Sequence, residues 1–93
     1  MYNFDYITTV EEANKELAKL PKKIEGSLSL DGLTSAKGLN LPDKIGGWLY
    51  LNGLTSAKGL NLPDEIGRWL FLNGLTSAEK NKLRKKYPNI NIY

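Results

Sequence analysis

Two pairs of aromatic residues stand 21 positions apart: Trp48 with Tyr50, and Trp69 with Phe71. In an extended segment Trp48 and Tyr50 share one side of the chain, and Leu49 and Leu51 take the other. Such residues supply non-covalent chemistry. Each aromatic side chain can bury about 150–250 Å², and Trp and Tyr dominate the energetics of macromolecular interfaces. Four of them on adjacent strands would exceed the few hundred Å² of contiguous apolar surface a monomer ordinarily exposes. Asn52 and Asn73 follow the two pairs, with Asp31 in the matching position upstream. They would add directional hydrogen bonds. Three occupants fit this surface: a protein partner, a second copy of the chain, or neighbouring strands packing on one another.

A second group is electrostatic. Lys80, Lys82, Arg84, Lys85 and Lys86 fall within seven residues. Clustered cations attract phosphates, and with aromatics nearby they can form a platform for single-stranded nucleic acid. They can equally form a charged rim that speeds encounter with an acidic protein. Basic residues are also favoured at a helix C-terminus by its dipole.

Catalytic chemistry is poorly supplied. The chain has neither His nor Cys, so it lacks the usual base near neutral pH, thiolate nucleophiles and thiolate metal ligands. Ser35, Ser56 and Ser77 recur because a turn recurs, and no His accompanies them. Asp43 and Asp64 occupy matching Pro-Asp turns, where Asp is a turn former. The expectation is a binding protein with no enzymatic activity, no metal and no cofactor.

The 93 residues suffice for one domain with a modest core. They are 41% hydrophobic, with 13 Lys+Arg against 10 Asp+Glu. Residues 1–46 hold six Lys and seven acids, and residues 47–93 hold seven Lys/Arg and three acids, so the positive excess lies in the second half. The longest apolar runs are four residues, as at Trp48–Leu51. A membrane-spanning helix needs about 20 and a secretory core about 7–15. No membrane association is expected, and the absence of Cys fits a reducing cytoplasm, that of the producing cell or of an invaded host.

The elements that must position these residues are repeats. Residues 32–45, GLTSAKGLNLPDKI, return as GLTSAKGLNLPDEI at 53–66, each followed by a WLYLN or WLFLN segment. A period of this size indicates units that bury their apolar faces against one another. Each unit reads as two short strands, one at Trp48–Asn52 and one at Leu60–Leu62, joined by turns. Leu33, Leu54 and Leu75 should point inward. Asn40, Asn61 and Asn91 should form an amide column. Gly38 and Gly59 would stop a helical turn in the left-handed conformation.

The ends differ. Thr9-Val10-Glu11-Glu12 is a capping box opening a helix over about 9–20. Upstream, Tyr2 and Phe4 should point inward and Asp5 outward. In the last unit Lys80 replaces the glycine, so a helix runs over about 77–87 with Ser77 as N-cap. Ile90-Asn91-Ile92 then repeats the Leu-Asn-Leu pattern. The predicted organisation is one domain over 1–93: an N-terminal cap at 1–23, repeat coils at 24–76 and a C-terminal cap at 77–93.

The pattern LPDKIGGWLYLNGLTSAKGLNLPDEIG resembles the short leucine-rich-repeat-like coils of bacterial and phage proteins. The resemblance implies a mainly β fold with helical caps: a short, right-handed parallel β-solenoid with one helix near each end. It implies partner binding through the strand-bearing face and no catalytic residues. Small phage proteins of this kind inhibit host machinery, so an inhibitor of a defence system, anti-CRISPR-like, is one implied role. The alternative is a nucleic-acid-binding module using the same aromatics and the basic helix. A homodimer is the third reading.

Overall fold

A computed structural model describes all 93 residues. The 21-residue spacing appears in it as strand register. Leu28, Leu49 and Leu70 stand opposite one another, as do Ser29, Tyr50 and Phe71. Because side chains alternate along a strand, this register sends every Leu of the row to one face and every polar or aromatic partner to the other.

The order is β1 (Tyr2–Asn3), α1 (Val10–Leu17), β2 (Lys23–Ile24), β3 (Leu28–Ser29), β4 (Lys44–Ile45), β5 (Leu49–Tyr50), β6 (Glu65–Ile66), β7 (Trp69–Phe71), α2 (Ser77–Lys86) and β8 (Asn91–Ile92). Strands β1-β3-β5-β7-β8 form one sheet and β2-β4-β6 a second, smaller one. All pairings are parallel. Leu28, Leu49 and Leu70 from the first sheet and Ile24, Ile45 and Ile66 from the second join one core of 22 buried hydrophobic residues. Leu33, Leu54 and Leu75 are buried in it too.

The mainly β solenoid expected from the sequence is corrected to a small α/β fold. Seven strands have two residues and one has three, while the helices have eight and ten, so the helices hold slightly more of the chain than the strands. The repeat supplies only brief ladders, and each helix covers one end of the core through Ala13 and Leu17 or through Leu83.

Several local expectations also change. Leu60–Leu62 is not a strand; the smaller sheet is built three residues later, at β6. Pro42 and Pro63 carry no N–H to donate, and the Leu62 N–H turns to the Tyr87 hydroxyl at 3.4 Å. Coil-to-coil bonding on this side resumes only at Asp64, whose N–H donates to the Asp43 carbonyl at 2.9 Å. Accordingly Asn40, Asn61 and Asn91 form no column, because Asn91 lies in the other sheet, opposite Trp69.

Gly38 and Gly59 do take positive φ, +81° and +78°, but they close no helical turn. Leu39 N–H donates to Ala36 carbonyl at 3.0 Å and Leu60 N–H to Ala57 carbonyl at 3.1 Å. These are four-residue turns with Gly third, where type II geometry needs a positive φ.

Helix α1 begins one residue after Thr9, whose hydroxyl accepts the Glu12 N–H at 3.3 Å. No return bond from the Glu12 side chain completes the box. Asn14 pins the helix to the first repeat: its amide donates to Gly38 carbonyl at 2.9 Å and accepts from Asn40 N–H at 2.8 Å. At α2 the N-cap is Thr76, not Ser77. Thr76 is extended, and its hydroxyl accepts the Glu79 N–H at 3.2 Å.

Candidate functional site

Sheet pairing brings the sequence-predicted aromatics together. Tyr50 and Phe71 are register partners on β5 and β7. Their rings lie 4.9 Å apart at an interplanar angle of 9°, stacked along the direction in which the strands succeed one another. Trp48 meets both edge-on, 6.1 Å from Tyr50 and 6.0 Å from Phe71. Trp69 stands in the next unit, in the same row as Trp48.

Stacking changes the surface the sequence suggested. Tyr50 and Phe71 are half-buried against each other, whereas Trp48 and Trp69 remain 42% and 44% exposed. The face is therefore an inner ring stack flanked by two projecting indoles.

The structure adds Tyr93, which the sequence reading missed. Strand β8 pairs with β7, not with the Leu60–Leu62 segment: Trp69 stands opposite Asn91 and Leu70 opposite Ile92. Tyr93 then follows on the aromatic side, 5.3 Å from Phe71 and 6.1 Å from Trp69, and is 61% exposed. The available signal was the separation of Phe71 from Tyr93, one residue longer than the repeat. Aligning Ile90–Ile92 with the wrong half of the unit hid it.

A local contact holds the backbone beneath the first indole. Ser27 Oγ accepts the Trp48 backbone N–H at 2.9 Å. A Cβ at Gly47 would collide with that same oxygen, so glycine before Trp48 lets the bond form without displacing Ser27. One unit later the residue below is Trp48, which has no hydroxyl, and Arg68 is accommodated in the corresponding place.

The row after the aromatics is a ladder. Asp5 Oδ1 accepts Asp31 N–H at 2.9 Å, Asp31 Oδ1 accepts Asn52 N–H at 2.8 Å, and Asn52 Oδ1 accepts Asn73 N–H at 3.0 Å. Asp5 Oδ1 also accepts the Ser29 hydroxyl at 2.6 Å. Asn52, expected to hydrogen-bond a partner, spends its side-chain oxygen inside the protein. Asn73 is the last rung, and only its backbone is engaged.

The five basic residues are unequal. Arg84 donates to the Ile92 carbonyl at 3.0 Å and to Asn81 Oδ1 at 2.8 Å, so it clamps α2 onto β8. It has a structural role while its charge stays on the exposed surface of α2. Lys80 is half-buried, and Lys82, Lys85 and Lys86 are exposed. The Lys86 ammonium lies 5.5 Å from the centre of the Tyr87 ring. The only ion pairs of the chain, Lys19–Glu16 and Lys44–Glu65, lie elsewhere.

No three acidic side chains are grouped to hold a metal ion. No helix is long and apolar enough to cross a membrane. Comparison with protein-family models, curated proteins and solved structures finds no match to this chain.

Proposed function

We propose that the chain is a non-enzymatic binding module that docks a protein partner on the aromatic face of its larger sheet. The observation that carries this reading is the pair of indoles, Trp48 and Trp69, held proud of an ordered ring stack. A preformed face of this kind loses little side-chain freedom on binding.

Size and ring orientation separate the competing occupants. With about 150–250 Å² per aromatic side chain, the exposed fractions of Trp48, Trp69 and Tyr93 offer about 220–370 Å² together. That is smaller than the sequence suggested, because Tyr50 and Phe71 cover each other. A standard interface buries about 800 Å² on each partner. The aromatics match the hot-spot centre of such an interface, with a polar rim around them. They are too small a patch to hold a homodimer by themselves. Base stacking needs open ring faces, and the Tyr50–Phe71 pair has its facing surfaces already occupied. That favours a protein over single-stranded nucleic acid at this face.

The proposed compartment is a cytoplasm, which suits a chain without cysteine. The resemblance of its coils to phage repeats makes bacterial defence proteins the first partners to try. The test is affinity capture on the immobilised chain, using wild type and the double variant Trp48→Ser/Trp69→Ser. Capture should be lost in the variant while far-ultraviolet circular dichroism stays unchanged. Equal capture by a well-folded variant would refute the proposed anchors.

A further inference from the structure

Helix α2 presents a surface of different chemistry from the aromatic face. Its buried residue is Leu83. On the opposite side, at helical spacing, lie Ala78, Lys82 and Lys85, all exposed, with exposed Lys86 beside them. No acid neutralises these cations. Glu79, the helix's one acid, points back: its carboxylate accepts the Ala57 N–H at 3.1 Å and the Thr76 hydroxyl at 3.4 Å. Glu65 is paired with Lys44 at 3.3 Å. Asp64 shares a shallow recess with Lys86 and Tyr87 but lies beyond ion-pair distance of the lysine. The three acids of residues 47–93 thus leave Lys82, Lys85 and Lys86 uncompensated.

We infer that this helix face is a second, independent docking surface, for the phosphate backbone of nucleic acid. A protein interface needs an apolar or aromatic centre, and lysine is depleted from such centres. The outer face of α2 has nothing larger than Ala78 to offer. Phosphate binding needs only unpaired cations at close spacing, because its driving force is release of condensed counterions. Lysine ammonium groups on flexible stems serve as point charges for phosphates. The ring stack takes no part in this binding, so the face reads charge and not sequence.

The probe is a fluorescein-labelled DNA duplex of mixed sequence, titrated with the full chain and followed by anisotropy. Three phosphate contacts give a log–log salt slope of about −2.7, so affinity should fall about 40-fold between about 50 and 200 mM salt. The variant Lys82→Gln/Lys85→Gln/Lys86→Gln should lose most of the binding and bring the slope from about −2.7 to near zero. Trp48→Ser/Trp69→Ser should bind the duplex as wild type does, which separates this surface from the aromatic one. Undetectable binding at low salt would overturn the inference. So would a triple variant that binds with an unchanged slope, or polyglutamate competing as well as unlabelled duplex, which would point to an acidic protein.

Discussion

Replacing Asn52 by Ala distinguishes a structural ladder from a binding row. In the structure its Oδ1 accepts the Asn73 N–H at 3.0 Å. Its own N–H is held by Asp31 Oδ1 at 2.8 Å, a bond the substitution leaves in place. One neutral hydrogen bond is lost, for a net cost of about 0.5–1.5 kcal/mol. The lower half of that range applies, because Asn73 is exposed and water can reach its freed N–H. For a domain of this size each kcal/mol moves the melting temperature by about 4–8 °C. Thermal unfolding followed by circular dichroism should therefore show a fall of about 2–8 °C, with partner capture by the aromatic face retained. Asp31→Ala should cost more, about 1.5–3 kcal/mol, since the acceptor it removes is charged, and Asp31→Asn should recover most of that. An Asn52→Ala protein that melts with the wild type yet fails to capture partner would refute the ladder and restore Asn52 to the interface.

Gly59→Ala should destabilise by about 1–2 kcal/mol, because φ is +78° and a Cβ would stand 3.0 Å from Lys37 Cα. Gly26→Ala, with open space around it and no positive φ, should be neutral within about 0.5 kcal/mol when both variants are unfolded in urea beside the wild type. Arg84→Lys gives up the guanidinium fork that ties α2 to the Ile92 carbonyl. It should loosen β8 and weaken the near-ultraviolet circular dichroism of the Trp69–Tyr93–Phe71 cluster; an unchanged aromatic spectrum would mean that β8 is held without the clamp.

The repeat was legible because its cause is local and periodic. Alternating Leu and non-Leu residues at a 21-residue spacing allow one register that keeps every Leu inside, and Leu28, Leu49 and Leu70 meet accordingly. The positive φ of Gly38 and Gly59 is equally local, since a residue without a Cβ takes that conformation at little cost. Thr9 as a cap rests on the same kind of short-range bond.

What misled the sequence reading depended on distant partners. Leu60–Leu62 has strand composition, but Pro63 removes a donor and the Tyr87 hydroxyl, 25 residues away, takes the Leu62 N–H. Ile90–Ile92 fits either sheet by its pattern, and Arg84 from α2 holds its carbonyl in place at β8. That choice brought Tyr93 to the aromatic face.

The sequence by itself determined the 21-residue register, the inward rows of Leu and Ile, and which aromatics share a side of the larger sheet. These follow from side-chain alternation and the positions of glycine and proline. Only the tertiary structure decided how much of the aromatic surface stays open, because Tyr50 and Phe71 cover each other through space. It also decided that Asn52 and Arg84 serve the fold while Lys82, Lys85 and Lys86 remain unpaired. A donor's role depends on which acceptor lies within about 3 Å once the chain has folded.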